Sequence, residues 1–483
     1  MDVRELKFDP ASFDVAIDKG TMDAMMTAKG DVWDPPEEVI ENCTREVDEV
    51  LRRYANKVKH ITLGTTPPDL TAFEGHILPN LISVTLCRDG CLSSASWILS
   101  NQLRDLDVDM RAASDSKASR ARAANVADVL LVQATQNSLL KFKIRGWMTP
   151  VLDSTVRTLV SLRSLTLYTG KSLTPQTLAS LASFPNLEQL SVHASHIDSS
   201  DFASALPVDS TTFPVLHTLR IRGQRALFCA LLEALPTGNL RSLYLETEEP
   251  EQGLVAWRET FDLLVAKASD TLIDFTLDQI LELEEMEDTI AHTESDTRLA
   301  AETLQPLGKL RALRRFTIDA MILPDFTDKD IDHIASWWPL LEQLNLGTLP
   351  GMQEHAQPWV PKVTIAALMT IAKRCPHLES LTLPLDISAG ECDPSNAVKP
   401  KNDTPQAPQN ALRKLYVGHA GTSDYIPQFL RSVLKIFPKL LDLECITIEK
   451  TVSLDARLGA SLQGQQDQGE RSGVTLDGYA DGQ

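Results

Sequence analysis

Long apolar runs are absent from the chain. No stretch approaches the roughly 20 residues needed to cross a bilayer. The acidic N-terminus also carries no apolar segment of the secretory kind, so a cytoplasmic or nuclear address is expected. Positive charge is in short supply. Lys and Arg number 46 against 66 Asp and Glu, for a net charge of −20. Phosphate backbones need a concentrated basic face, so nucleic acid is not an expected partner, whereas a basic protein surface would be favoured. Cysteine is sparse: seven residues stand at 43, 87, 91, 229, 375, 392 and 445, and only Cys87 and Cys91 are close together. No second pair completes a zinc site, and the pattern reads as reduced thiols.

Signatures of chemistry are scarce as well. No G-x-G-x-x-G loop follows a strand-like segment, and no Ser–His–Asp or Cys–His arrangement stands out locally. His193 and His196, in HASH, lack the thiol or carboxylate company of a metal site. Residues 278–296 hold eight acidic residues and no basic one. They lack the alternating oxygen ligands and central Gly of a calcium loop, and read as a solvated acidic insert. The sequence therefore predicts no catalytic residue, no cofactor and no metal.

What is present is a repeat. The chain has 483 residues, 43% hydrophobic and 23% charged, enough for two or three domains or one elongated array. A hexamer, apolar-x-x-apolar-x-apolar, recurs fourteen times at spacings of 22 to 41 residues. The copies are VKHITL from Val58, LISVTL from Leu81, LRDLDV from Leu103, LLKFKI from Leu139, LRSLTL from Leu162, LEQLSV from Leu187 and LHTLRI from Leu216. They continue as LRSLYL from Leu240, LIDFTL from Leu272, LRRFTI from Leu313, LEQLNL from Leu341, LESLTL from Leu378, LRKLYV from Leu412 and LLDLEC from Leu440. Each has the alternation of a strand with one buried face. Between copies, TPQTLASLASFP (174–185), TDKDIDHIASWWP (327–339), TIAALMTIAKRCP (364–376) and YIPQFLRSVLKIFP (425–438) carry helical apolar spacing that ends at Pro. Thr174–Pro175 and Thr327–Asp328 read as helix starts.

Strand, turn, helix, Pro, strand is the unit of a leucine-rich repeat, which buries its Leu positions only against its neighbours. The expected fold is α/β: a leucine-rich-repeat solenoid, with a curved parallel sheet, outer helices and about 14 irregular repeats over residues 52–446. Inserts are expected at about 111–133 (an Ala-rich helix candidate), 278–296 and 388–411, and a disordered tail at 447–483.

In such an array the third, fifth and seventh positions of each copy face away from the helices, on the concave face. They read as Asp105, Asp107 and Asp109, then Lys141, Lys143 and Arg145, then Tyr168, His193, Arg220, Arg222, Tyr244 and Glu246. Neighbouring strands run about 4.8 Å apart, so the acidic and basic triplets should adjoin. Two readings fit: charge pairs across a solvated face, or a strip that binds a protein partner, since Tyr and Arg are favoured at hot spots.

Two stretches resemble known families. The phrases RRYANKVKHITL (52–63), FPNLEQLSV (184–192), CPHLESLTL (375–383) and FPKLLDLEC (437–445) make residues 52–446 similar to the repeat region of fungal F-box proteins. There the repeats select a target and an F-box docks a ubiquitin-ligase scaffold. Residues 1–51 contain neither the Leu-Pro phrase nor the helical trio of an F-box, so the resemblance implies a target-binding body whose F-box is lost or lacking. Scaffold contact would require an F-box upstream.

Separately, DVRELKF (2–8), SFDVAIDKGTMDAMM (12–26), DVWDPPEE (31–38) and REVDEVLR (45–52) resemble pieces of class I S-adenosylmethionine-dependent methyltransferases of the elongation-factor-lysine type. The resemblance places Asp2 near the cofactor adenine and Asp18 at the end of strand four, facing the active site. The Gly-rich turn and the ribose-binding acid of that family are missing, so residues 1–51 are expected to be a truncated remnant without cofactor binding. The remnant would join the repeat body near residues 51–54. Its last helix, capped by Asp34 and Pro35 with Val39, Cys43, Val47, Val50, Leu51 and Tyr54 on one face, would cover the first repeat. The expected function is non-catalytic protein–protein interaction of the substrate-receptor type. The alternative is an S-adenosylmethionine-dependent methyltransferase.

Overall fold

All fourteen hexamers form strands in the computed structural model, and each strand starts at the third residue of its hexamer. The structure describes residues 55–63, 78–87, 100–110, 116–136, 138–207, 211–248, 255–279, 299–319, 325–347, 361–387, 411–419, 426–447 and 451–455. The expectations for Asp2, Asp18, the junction, the covering helix, nearly all of the acidic insert and the 388–410 loop lie outside these residues. The described residues divide into two compact units. One runs to Gln279 and includes 303–313; the other takes in 299–302 and continues from Arg314.

In the first unit, β1 (His60–Leu63), β2 (Ser83–Cys87), β3 (Asp105–Asp109), β4 (Lys141–Arg145), β5 (Ser164–Tyr168), β6 (Gln189–His193), β7 (Thr218–Arg222), β8 (Ser242–Thr247) and β9 (Asp274–Gln279) pair in chain order, all parallel. In the second unit, β10 (Arg315–Asp319), β11 (Gln343–Asn345), β12 (Ser380–Pro384), β13 (Lys414–His419) and β14 (Asp442–Thr447) do the same. A further strand, β15 (Thr451–Asp455), pairs antiparallel with β14. It lies inside the stretch expected to be a structureless tail. Its TVSLD alternation is a single short strand without the hexamer, and only the open edge of β14 makes it one.

The register follows from burial. From β2 onward the fourth and sixth hexamer positions, such as Phe142 and Ile144 or Leu243 and Leu245, are nearly inaccessible. Sliding a strand by one residue would turn those side chains out to water. Each buried aliphatic contributes about 1.5–3 kcal/mol relative to exposure. The backbone adds a second lock. The carbonyl at the second hexamer position accepts two N–H groups from the next repeat: Arg104 O from Leu140 N at 2.9 Å and Lys141 N at 2.8 Å, and Arg163 O from Glu188 N at 2.8 Å and Gln189 N at 2.9 Å.

The helices lie on the other side of the buried row. They are α1 (Lys117–Gln136), α2 (Pro150–Val156), α3 (Pro175–Leu181), α4 (Ser199–Ala205), α5 (Arg225–Ala234), α6 (Val255–Ala268), α7 (Ala301–Leu304), α8 (Asp328–Trp337), α9 (Ile365–Arg374) and α10 (Ile426–Ile436). Phe261 of α6 meets Phe275 of β9 edge-on at 6.1 Å. The Ala-rich candidate is the 20-residue α1. Thr174, Thr327 and Thr364 are side-chain N-caps, each accepting from a backbone N–H of the first turn. The caps also tie repeats together. Asp328, at the start of α8, accepts from Thr364 N and from Thr364 Oγ1, both at 2.7 Å. No helix among the described residues is long and apolar enough to cross a membrane.

The residue three before many of the hexamers is a core position that the hexamer pattern leaves out. Leu159, Phe213, Trp338, Cys375 and Phe437 occupy it, all essentially inaccessible. Each carbonyl accepts from the N–H of the following hexamer's Leu, as Trp338 O does from Leu341 N at 3.1 Å. The residue closes the turn between helix and strand and fills the space beneath it.

Candidate functional site: the open face of β3 to β9

Every residue read as lining the strip lies on β3 to β8, and cross-strand pairing places these residues in three rows. The first row runs Asp105, Lys141, Ser164, Gln189, Thr218, Ser242, Asp274. The second runs Asp107, Lys143, Thr166, Ser191, Arg220, Tyr244, Thr276. In the third, Asp109 pairs with Arg145 and Arg145 with Tyr168. Tyr168 stacks on His193, which pairs with Arg222, then Glu246 and Asp278. These positions alternate with the buried ones along each strand, so they share the face away from the helices.

At the β3–β4 edge the middle pair of the two triplets closes. Lys143 Nζ stands 2.8 Å from Asp107 Oδ2. That hydrogen bond holds the ammonium above its ordinary pKa. Asp105 is pushed up, chiefly because burial disfavours its charged form, with Lys141 opposing.

A denser network joins β7, β8 and β9. Arg222 Nη1 lies 3.1 Å from Glu246 Oε1 and Arg220 Nη2 lies 3.6 Å from Glu246 Oε2, while Arg222 also pairs with Glu248. The Arg220 guanidinium sits 4.1 Å over the Tyr244 ring, a cation–π contact. Tyr244 donates to Asp278 Oδ2 at 2.5 Å. Burial, followed by that bond to a carboxylate, pushes the phenol pKa up, so it remains a donor. Glu246 departs from the exposure expected at its register. It is only 4% exposed, because two guanidinia from the preceding strand close over it.

Between these groups lies a neutral floor. Tyr168 and His193 stack at 4.1 Å with 26° between planes, and Tyr168 Oη is 2.9 Å from Ser191 Oγ. His193 is lowered to about 4, first by burial and then by Arg222 and Arg220, with Arg145 acting the same way. It is therefore uncharged at neutral pH. His196 does not join it; its Nε2 donates to the Leu173 carbonyl at 2.7 Å. Among the described residues no three His, Cys, Asp or Glu side chains come together to hold a metal.

Ser191, Asp278 and Glu248 belong to this surface and were not singled out from the sequence. Ser191 and Asp278 occupy the fifth and seventh positions of their hexamers, so the same reading, applied to every copy, finds them. Glu248 follows β8, and only the fold shows that it turns back to Arg222. On the helix side, a groove of about 530 Å³ between α3 and α4 is lined by Gln176, Ser180, Ser183, Asp201 and Ser204. The arrangement on the open face offers fixed cations, hydrogen-bond donors and aromatic rings, which is the equipment of recognition.

No protein-family model matches the chain. Part of it is 37% identical over 68 residues to bovine (Bos taurus) EEF1A lysine methyltransferase 4, and 35% identical over 68 residues to the mouse (Mus musculus) protein. These matches cover 14% of this chain, and the chain spans 27% of the length of those curated relatives. Among solved structures, the chain resembles that of a yeast Rad7 and Elc1 complex, with 12% identity, TM-score 0.40, and coverage of 76% of this chain and 86% of the other. It also resembles the internalin InlF of Listeria monocytogenes, with 13% identity, TM-score 0.34, and coverage of 87% and 92%. Likenesses this remote say nothing of activity. The leucine-rich-repeat architecture stands on the strand order, the register and the helices between the strands.

Proposed function

We propose that this protein is a non-catalytic interaction module that captures a protein partner on the open face of β3 to β8. The observation that carries the reading is the third row, in which charged and aromatic side chains from six successive strands stand side by side and the Tyr168–His193 stack and the Arg222–Glu246 pair hold its middle in place. Side chains held in place lose little entropy on binding, so such a surface is ready to recognise a partner. The finer reading is a substrate receptor of the ubiquitin-ligase type. Co-purification of a ligase scaffold adaptor with the full chain supports it, and absence of the adaptor under conditions that retain the partner refutes it.

The test of the main reading compares two variants in quantitative capture from extract. Arg220→Ala with Arg222→Ala and Tyr244→Ala alters the open face, whereas Gln176→Ala with Ser180→Ala alters the groove between α3 and α4. Proteins retained by the parent and by the groove variant, but lost by a folded face variant, support the reading. Equal retention by all three overturns it.

A second reading, an S-adenosylmethionine-dependent methyltransferase, is favoured by the 68-residue match at 37% identity. Calorimetry with S-adenosylmethionine separates the two: binding at micromolar strength supports the enzyme, and we expect none.

A further inference from the structure

Resting on the partner-binding reading above, we propose that the open face contains an anion-binding site over Tyr168 and His193. Its occupant is an acidic segment of the partner protein, with a carboxylate seated between Arg145 of β4 and Arg222 of β7.

The geometry supplies the two arms. Arg145 pairs with Tyr168 across one strand boundary, and His193 pairs with Arg222 across another. The two Arg backbones therefore stand three strand spacings apart on one row, about 14 Å at the usual spacing. The exposed Arg145 side chain can turn into that gap from one side, Arg222 stands fixed on the other, and a guanidinium matches carboxylate geometry in two-point fashion. The floor between them is the Tyr168–His193 stack, flanked by the hydroxyls of Thr166 and Ser191.

The charges are placed for an anion. Arg145 is exposed, and among the described residues it forms no ion pair. Arg222 is held by Glu246 and Glu248, so its position is fixed before any ligand arrives. His193 is kept neutral first by burial, with Arg222, Arg220 and Arg145 acting in the same direction and Glu248 against them. Arg145 is the guanidinium of this row that Glu246 and Glu248 do not hold, in a chain whose net charge is −20. At physiological salt the screening length is about 8 Å, so an approaching acidic segment meets the nearby guanidinia more strongly than the distant carboxylates. Asp105, Asp107 and Asp109 lie to one side of this seat, and Asp278 lies to the other, beyond the Glu246 and Glu248 that hold Arg222. Those acidic borders repel a segment laid in the wrong place, which turns attraction into register.

The experiment uses the full chain and three short labelled peptides of one design. One carries Glu at alternate positions, the second Gln and the third Lys, and binding is followed by fluorescence anisotropy. The Glu peptide is expected to bind at least ~10-fold more tightly than the Gln peptide. That preference should shrink as salt rises, and Arg145→Glu should abolish it while circular dichroism stays unchanged. In nuclear magnetic resonance titrations, the His193 imidazole pKa should rise when the Glu peptide is bound, because a nearby carboxylate favours the imidazolium. No preference for Glu over Gln, or a preference that survives Arg145→Glu, overturns the inference. If the Lys peptide binds instead, and the Arg220, Arg222 and Tyr244 triple variant loses it, the acidic occupant is refuted while the open face remains a partner site. If that triple variant leaves partner capture intact, the partner-binding reading itself has failed.

Discussion

Replacing Glu246 with Ala tests whether the open face is organised by its own ion pairs. The carboxylate is buried and bridges two guanidinia from β7. Breaking a fully buried pair by removing one partner costs about 3–5 kcal/mol, whereas an exposed pair contributes about 0.2–1 kcal/mol. Glu246 belongs to the first class and its partners to the second, since the side chains of Arg222 and Arg220 are 26% and 47% exposed. Arg222 also keeps Glu248 after the substitution. The expected cost falls between the limits, at about 2 kcal/mol. Urea unfolding followed by circular dichroism measures it. Arg222→Ala completes a double-mutant cycle, with an expected coupling of about 1–2 kcal/mol. A cost for Glu246→Ala within the scatter of ordinary surface substitutions, roughly 0.5 kcal/mol, would refute the network as an organising element. So would a coupling of zero.

Three further outcomes follow from the same structure. His193 titrates at about 4 when folded and near its ordinary 6.5 when unfolded, so the unfolded chain takes up the proton first as pH falls. Stability present above the ordinary value should therefore decline between pH 6.5 and about 4, and His193→Asn should flatten that part of the stability profile; an unchanged slope counts against it. Trp338 is fully buried, with its ring centroid 4.7 Å from that of Phe316, so Trp338→Ala should cost about 3–5 kcal/mol in urea unfolding, while Trp338→Phe recovers part of it. A loss no larger than that of a surface change would contradict its place in the core. Burial raises the Cys375 and Cys445 thiols to about 11, so both should resist an aromatic disulfide reagent in the native chain and react only in urea. Rapid native labelling of either would show that the core there is open.

Much of the fold was legible because a leucine-rich repeat states its geometry locally. Leu187, Leu190 and Val192 in LEQLSV mark one buried face, the Thr174–Pro175 start and the Pro185 stop bracket a helix, and neighbouring copies repeat the pattern. The same locality exposed the three rows of the site, since alternation alone places Asp107, Lys143 and Tyr244 opposite the core. Elements defined by neighbours rather than by pattern were not legible. The position holding Phe213, Trp338 and Cys375 shows no constant residue type, because its role is to fill whatever space remains beneath each turn. β15 has no hexamer and is a strand because β14 offers it an edge.

The sequence by itself determined the fold class, the starts of all fourteen repeat strands and which residues share the open face, because period and register in a solenoid come from adjacent residues and adjacent repeats. The tertiary structure alone decided how those residues treat one another. It buried Glu246 under Arg220 and Arg222, laid Arg220 over Tyr244, stacked Tyr168 on His193 and left Arg145 exposed beside them. Such contacts depend on rotamers and on groups separated by 24 to 26 residues in the chain, where the repeat pattern sets which residues are neighbours but only packing and charge in three dimensions choose the partner.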